Sequence, residues 1–383
     1  MIRNILLKIL LAINIGILLI PTIQMKFSLF HYESLDEARV KKSLPTLSAY
    51  RIQNDFKGIV SEFEAWFNDN YGLRDFLIRL GTQINFSVFH YSDKIHIGQG
   101  GFLYYRFIND DHLLGNYLYS NRQNKVRAVY NRLMGISDKL KQKGIRMVFI
   151  MCPVKPAIYP EYLPKSSPYR DDLCYRELNE LLKNQTDIIY IDVQERLFAL
   201  KDKMAVFHKT DFHWTDPAAF LIAEEIVNTI GQVSKIGEKI WKHALQIRQS
   251  VFSGGEARFM PLFIYPEENS IFVRKNWTEN GNFEYINQDR YEFIYHSQEK
   301  EGVLPTTVFL GNSFGDGFTE SGMYTYFKNY YRASSWHVSL DRALDELPEG
   351  TKFFILQTSI LPFVNGNLMR EPGNMARETI LSG

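Results

Sequence analysis

Four short apolar runs constrain this chain more than any other feature. They are "IRMVFIM" (145–151), "IIYIDV" (188–193), the opening of "TTVFLGNSFGDGF" (306–318) and "TKFFILQTS" (351–359). Each is strand-length and too apolar to keep one face wet, as expected of strands buried on both sides of a sheet. Helical periodicity lies between them. One helix is predicted over 126–143, stopped by Gly144, and a second over 171–183. A third starts at Asp216–Pro217, with Asp216 as N-cap and Pro217 in the first turn. Its stripe is Phe220, Ala223, Ile226, Val227 and Ile230, and Gly231 ends it. Strands alternating with helices predict an α/β fold, a mainly parallel sheet with helices on both faces. Ligands of such sheets bind at the carboxyl ends of the strands.

Before this pattern, residues 56–89 carry apolar residues at helical spacing: Ile59, Phe63, Trp66 and Phe67, then Phe76, Leu77 and Leu80. Gly72 divides them into two helices. "IHIGQGGFLYY" reads as a hairpin around a Gly-rich turn. Residues from about 241 to 301 alternate weakly, as in "SIFVRKNW", and read as a β-rich insertion. The expected organisation is an N-terminal segment over 1–26, a linker over 27–54 and one α/β domain over 55–383.

The N-terminal segment, "MIRNILLKILLAINIGILLIPTIQMKF", leads with Arg3 and Lys8 and is apolar from Ile9 to Ile23 apart from Asn14. With Ile5 to Leu7 it approaches the roughly 20 residues of a membrane span. Positive charge on the leading side predicts a cytoplasmic N-terminus and a body on the far side of the membrane. A cleaved signal peptide would look similar, but no A-x-A-like site follows, so an uncleaved anchor is the expectation. Net charge is +1, which argues against a nucleic-acid binder with a basic face. The two cysteines, Cys152 and Cys174, could pair outside the cytoplasm or lie apart as buried thiols.

Chemically capable side chains are densest in "FHKTDFHWTDPAAF" (207–220), with His208, Asp211, His213 and Asp216. The Asp-x-His pair falls in a loop just before a helix. It could bind a metal with His208, make a structural hydrogen bond, or form two thirds of a triad. Ser313 follows an apolar strand between Gly311 and Gly315, where a tight turn can lift a hydroxyl above the sheet. The alternative for Ser313 alone is a helix N-cap. A serine needs a base, which His213 can be, and Asp211 can orient that base. No second metal-ligand cluster accompanies the segment, so no metal and no cofactor are expected. The string "GNSFG" also fits the elbow of α/β-hydrolases, but that fold needs the order Ser, acid, His. After Ser313 the only histidine is His337, too near to span the intervening units. The order Asp, His, Ser requires another scaffold.

Several pieces resemble, in order, the AlgJ/AlgX-like (DHHW-motif) polysaccharide O-acetyltransferases. They are "FEAWFNDNYGLRDFLIRL", "IGQGGFLYY", "FIMCPVKPAIYPEYLP", "TDFHW" and "GNSFGD", spread over residues 55–360. The resemblance implies a circularly permuted SGNH hydrolase-like domain. It implies Asp211 as acid, His213 as base and Ser313 as nucleophile, with acetyl transfer to a polysaccharide hydroxyl outside the cytoplasm. It also implies a membrane-bound O-acyltransferase partner as acetyl donor. An esterase with the same triad and a non-catalytic polysaccharide-binding protein are the alternatives. Asn312 stands where the family commonly carries Asp, and "QTSILPF" replaces a Glu-Arg pair. Asn312, Lys155, Thr358 and Trp214 are the candidates for the oxyanion and substrate site. Arg74, in the opening motif, is expected to be structural.

Overall fold

A computed structural model describes residues 2–31, 34–35, 40–106, 122–165, 167, 173–237, 241, 245–275, 280–288, 292–299 and 301–359. The described residues form two compact units, one within 2–92 and 260–264, the other within 93–259 and 265–359.

The first unit is helical: α1 (Ile2–Phe27), α2 (Ala49–Asn54), α3 (Phe56–Asn70) and α4 (Arg74–Phe89). Gly72 does break the α3–α4 pattern, and its lack of a side chain permits close packing. A Cβ there would lie 2.1 Å from the Pro21 carbonyl oxygen. Irregular backbone is tied down by buried charges. Asp69 accepts the Lys42 N–H, Asp75 accepts the Leu35 N–H, and Arg79 donates to the Leu262 carbonyl. Arg74 pairs with Asp75 at 3.0 Å. Of the apolar stripe, Ile59 is buried, whereas Phe63 and Phe67 stack on each other on the exposed side. Among the described residues no helix is long and apolar enough to cross a membrane.

The second unit begins with the expected hairpin, β1 (Ile95–Ile97) and β2 (Leu103–Tyr105). Then follow α5 (Arg122–Gln142), β3 (Arg146–Cys152), α6 (Leu173–Lys183), β4 (Ile188–Ile191), α7 (Val193–Leu200) and α8 (Asp216–Val233). Next come β5 (Leu245–Phe252), β6 (Glu268–Lys275), β7 (Gly281–Asn287), β8 (Glu292–Ser297) and β9 (Thr307–Gly311). The last elements are α9 (Asp316–Glu320), β10 (Asn329–Ser334), α10 (Leu340–Asp345) and β11 (Phe353–Ser359). Seven strands form one sheet in the order β4-β3-β11-β9-β10-β8-β7, parallel from β4 to β10 and antiparallel at β8 and β7. Of the region read as a β-rich insertion, β7 and β8 complete this sheet, while β5 and β6 pair only with each other.

Alternate residues of the central strands serve two cores. Val148, Ile150, Phe309 and Ile355 pack with α7 and α8, while Met147, Phe149, Leu310 and Phe354 pack with α5, α6 and α10. This is why the strands read as continuous apolar runs. Helix α5 starts at Arg122 rather than 126, and both ends of α8 differ from the sequence reading. Thr215, not Asp216, is the N-cap of α8; its hydroxyl donates to the Ala205 carbonyl, and the Asp216 carboxylate accepts the Val273 N–H. Gly231 does not end α8, which continues to Val233 because Gly231 is buried within the packed face. Cys152 is a buried free thiol. The Cys174 side chain and residues 171–172, placed in the second predicted helix, lie outside the described residues.

Candidate active site

The Asp-x-His segment leaves the core and returns to it as a closed excursion. Phe207 and Trp214, both buried, pair as an isolated antiparallel bridge at its base. The Thr215 N–H donates to the Val206 carbonyl and the His208 N–H to the His213 carbonyl. Trp214 packs its indole against Phe314 and Phe318, ring centroids 5.5 and 5.3 Å away. It is therefore a core residue beneath the loop. The residues between the bridge partners are held at the carboxyl end of the sheet.

At the tip, His213 Nδ1 lies 2.7 Å from Asp211 Oδ1, and His213 Nε2 lies 2.8 Å from Ser313 Oγ. The His213 backbone N–H also donates to Asp211 Oδ1 at 2.8 Å. Asp211 Oδ2 accepts the Gly255 N–H at 2.6 Å. Burial by itself would raise the Asp211 carboxyl. The hydrogen bond and charge of His213, with the two backbone N–H groups, outweigh it and hold the carboxyl well below the usual range. Asp211 is therefore an anion at neutral pH, able to fix one imidazole tautomer. The other ring nitrogen then faces the serine hydroxyl, the arrangement of an acid–base–nucleophile array. Phe212 and Phe314 flank the imidazole, with centroids 4.1 and 4.9 Å away.

Ser313 opens a 3₁₀ turn (Ser313–Gly315) at the end of β9. Its N-cap is Asn312, whose Oδ1 accepts the Phe314 N–H. The turn is braced from the neighbouring strand. Gln357 on β11 accepts the Asn312 N–H through Oε1 and donates through Nε2 to Asn312 Oδ1 and Cys152 Sγ. Gly311 and Gly315 are needed here, since a Cβ on either would come within 2.7 Å of the Phe309 ring. As the first residue of its turn, Ser313 has a backbone N–H that a 3₁₀ turn does not bond internally.

The remaining sequence candidates occupy distinct places. Asn312 is buried and spends its carboxamide on the turn and on Ser359 Oγ. Thr358 is buried in β11 with its hydroxyl donated to the Ser359 carbonyl. Lys155, just past β3, is buried; its Nζ donates to the carbonyls of His208, Lys209 and Asp211 at 3.2, 3.1 and 2.8 Å. The same Nζ forms an ion pair with Glu256 Oε2, and both side chains are at most 2% exposed. Burial pushes the Glu256 carboxyl up to about 7 despite the opposing effect of Lys155. The His208 ring hydrogen-bonds outside the Asp211–His213–Ser313 line. Its Nδ1 is 2.7 Å from Ser270 Oγ and its ring packs against Phe252 and Phe272, and burial lowers its pKa. Among the described residues no group of three His, Cys, Asp or Glu side chains is placed to hold a metal ion.

Sequence reasoning missed Gly254, Gly255, Glu256, Glu268 and Gln357. Glu268 accepts the N–H groups of Lys209 and Thr210. "SGGEARF" offered one cue, a Gly-Gly step before an acidic residue, but it lies where the periodicity is weak. Gln357 was visible only as a polar interruption of a buried strand.

Residues 97–278 match the family model described as "ALGX: SGNH hydrolase-like domain, acetyltransferase AlgX". The match includes Lys155, Asp211, His213 and Glu256 and stops before Ser313. The Probable alginate O-acetylase AlgJ of Pseudomonas putida is 29% identical over 128 residues, 31% of this chain and 33% of that protein. Its counterpart in Pseudomonas aeruginosa is 24% identical over 188 residues, 48% of this chain and 46% of that protein. The chain thus spans about a third of the first of these relatives and about half of the second. Bacillus cereus PatB1 superposes with a TM-score of 0.48 and 18% identity, covering 66% of this chain and 92% of that one. The O-acetyltransferase domain of Pseudomonas putida AlgJ gives 0.47 and 15%, covering 74% and 97%.

Proposed function

Since the chain belongs to the AlgJ/AlgX-like family and carries its SGNH hydrolase-like α/β domain, we propose that it is an O-acetyltransferase. It moves an acetyl group onto a polysaccharide hydroxyl through an acetyl-Ser313 intermediate. The observation that carries this reading is the continuous line from Asp211 Oδ1 through the His213 ring to Ser313 Oγ, with spacings of 2.7 and 2.8 Å.

In the first half, His213 Nε2 takes the Ser313 proton as Oγ bonds to the acetyl carbon of the donor. The carbonyl electrons move to oxygen, where the Ser313 N–H donates to them. Collapse breaks the donor's acyl bond, and the leaving group departs with the proton from His213. In the second half a sugar hydroxyl gives its proton to the same nitrogen and attacks the acetyl-serine. Ser313 leaves and recovers its proton. Asp211, an anion throughout, stabilises the imidazolium of each half. The order acid, base, nucleophile along the chain is that of a circularly permuted SGNH hydrolase.

The same reading includes an anchor. It rests on the sequence alone, the apolar run from Ile9 to Ile23 behind Arg3 and Lys8, since no described helix is long and apolar enough to cross a membrane; those leading cations would keep the N-terminus in the cytoplasm. The body would then work outside the cytoplasm, beyond reach of cytoplasmic acyl carriers. A membrane-bound O-acyltransferase that exports the acetyl group is the proposed donor, and a polysaccharide the acceptor.

The test is the full chain in mild detergent with p-nitrophenyl acetate, with and without added oligosaccharide. Ser313→Ala and His213→Ala serve as controls, and acetylation is followed by mass spectrometry. Acetyl on Ser313 and then on sugar supports the transferase. Acetyl-Ser313 giving only free acetate would make it an esterase. If Ser313 is never acetylated, the triad reading falls.

A further inference from the structure

The buried Lys155–Glu256 pair takes no part in the steps above, yet it is joined to the site by more hydrogen bonds than any surface ion pair. Lys155 has three N–H bonds to give and meets four acceptors, three of them carbonyls of the 208–211 loop. The Lys209 carbonyl also accepts the Leu103 N–H of β2, while those of His208 and Asp211 converge from an excursion outside helix and sheet, and buried carbonyls need donors. A compact ammonium suits such a cage better than a planar guanidinium. Glu256 supplies the compensating charge, and its other oxygen accepts the Tyr105 N–H from β2.

Glu256 also opens the way to Asp211 itself. The residue before it, Gly255, gives its N–H to Asp211 Oδ2. Gly254 gives its N–H to Thr210 Oγ1, and Ala257 gives its N–H to the Thr210 carbonyl. A Cβ on Gly254 would lie 2.4 Å from Asp211 Cβ. The loop is thus gripped from below by the lysine and from the side by the glycines, and the Lys155–Glu256 bond joins the two grips. A buried ion pair is weak as a source of stability because desolvation consumes most of the Coulombic gain. Its geometry here serves the loop.

We propose that Lys155, Gly254, Gly255 and Glu256 form the positioning element of the acid–base dyad: they fix the Asp211 carboxylate toward His213, and the two opposite charges leave the dyad in a balanced field. This rests on the triad reading. None of the four reaches Ser313, and they are positioning residues rather than catalytic ones. The other charged groups acting on the dyad are His208 on the loop, itself beside Glu268 of β6, and Asp316 on α9 with its partner Arg332 on β10; the Lys209 ammonium goes instead to the Gly100 carbonyl. All of these stay unchanged in the variants below.

Two variants of the full chain test the proposal, with p-nitrophenyl acetate as the probe and pH–rate profiles as the readout. Glu256→Gln keeps the shape and leaves Lys155 as an uncompensated cation. Glu256 gains its charge only as pH rises through about 7, so the variant differs in charge from wild type near and above that pH; the upper part of the acid limb of kcat/KM should move to lower pH by up to roughly half a unit, since the uncompensated cation favours the deprotonated dyad. Glu256→Asp keeps the charge and shortens the arm. Its acid limb should stay in place while kcat falls about tenfold or more at unchanged KM. A Glu256→Gln profile that superimposes on wild type overturns the proposal, as does a Glu256→Asp variant with full kcat. If Glu256→Gln does not fold, Glu256→Asp decides alone. Absence of acetyl-Ser313 in wild type overturns the triad reading and this inference together; normal acetylation with unmoved profiles overturns this inference only.

Discussion

The backbone N–H of Gly255 donates to Asp211 Oδ2 at 2.6 Å, leaving Oδ1 for His213. One carboxylate is thereby held at both oxygens by groups 44 residues and 2 residues away in the chain. The acid of the site owes its orientation as much to a remote glycine as to the histidine it serves.

Gly254 tests that relationship sterically. Its φ of −84° suits any residue, so Gly254→Ala acts through space alone. The new Cβ would meet Asp211 Cβ at 2.4 Å and the Thr210 carbonyl at 2.7 Å, both stiff neighbours. Overpacking of this kind costs about 1–3 kcal/mol. Urea denaturation should show that loss, and the rate with p-nitrophenyl acetate should fall further than stability alone explains.

Asp211→Asn keeps the volume and removes the charge. The imidazole loses both its tautomer lock and its counter-ion. The expected result is a fall in kcat of about 10³–10⁴-fold, the size seen when a triad carboxylate becomes an amide. KM should hold. A variant with more than a tenth of wild-type kcat would remove Asp211 from the mechanism.

Gln357→Leu probes the floor of the nucleophile turn. It strips the acceptor of the Asn312 N–H and a donor to Asn312 Oδ1, both buried. The Asn312 N–H is left unpaired, which costs about 1–3 kcal/mol, while Oδ1 keeps the Phe314 N–H. With Ser313 less firmly placed, kcat should drop roughly tenfold to a hundredfold. Unaltered kinetics in a folded variant would show that the turn holds itself.

Stability should respond to pH through two buried groups of opposite sign. The His208 pKa is depressed by burial, so its contribution is present above the unfolded value near 6.5 and is lost as pH falls below it. The Glu256 pKa is raised from 4.5 to about 7, so its contribution is present below 4.5 and is lost as pH rises through about 7. Between these limits the two oppose each other. His208→Asn should therefore gain stability relative to wild type on going from pH 7 to pH 5, while Glu256→Gln should lose it. Urea midpoints at the two pH values read the difference.

What the sequence disclosed follows from the range of each interaction. The strands were legible because burial on both faces leaves an uninterrupted apolar run, and Ser313 was legible because it ends one. His213 could be singled out because Asp211 lies two residues away. The grip on Asp211 was not legible, since 254–256 meets 210–211 only through the folded chain and carries no periodicity. The α8 cap was misread by one residue because Asp216 is a good N-cap in isolation, whereas here its carboxylate serves Val273. Phe63 and Phe67 sit at core spacing but face outward, and periodicity alone cannot tell which apolar face is covered.

The position of β11 has a consequence for biogenesis. It is the last described strand in the chain, yet it lies between β3 and β9 in the middle of the sheet. It also brings Gln357, the brace of the serine turn. A growing chain that has already made Ser313 and His213 still lacks the centre of its sheet, and such long-range pairing forms late. The brace that Gln357 gives the serine turn is thus supplied by the last described strand in the chain.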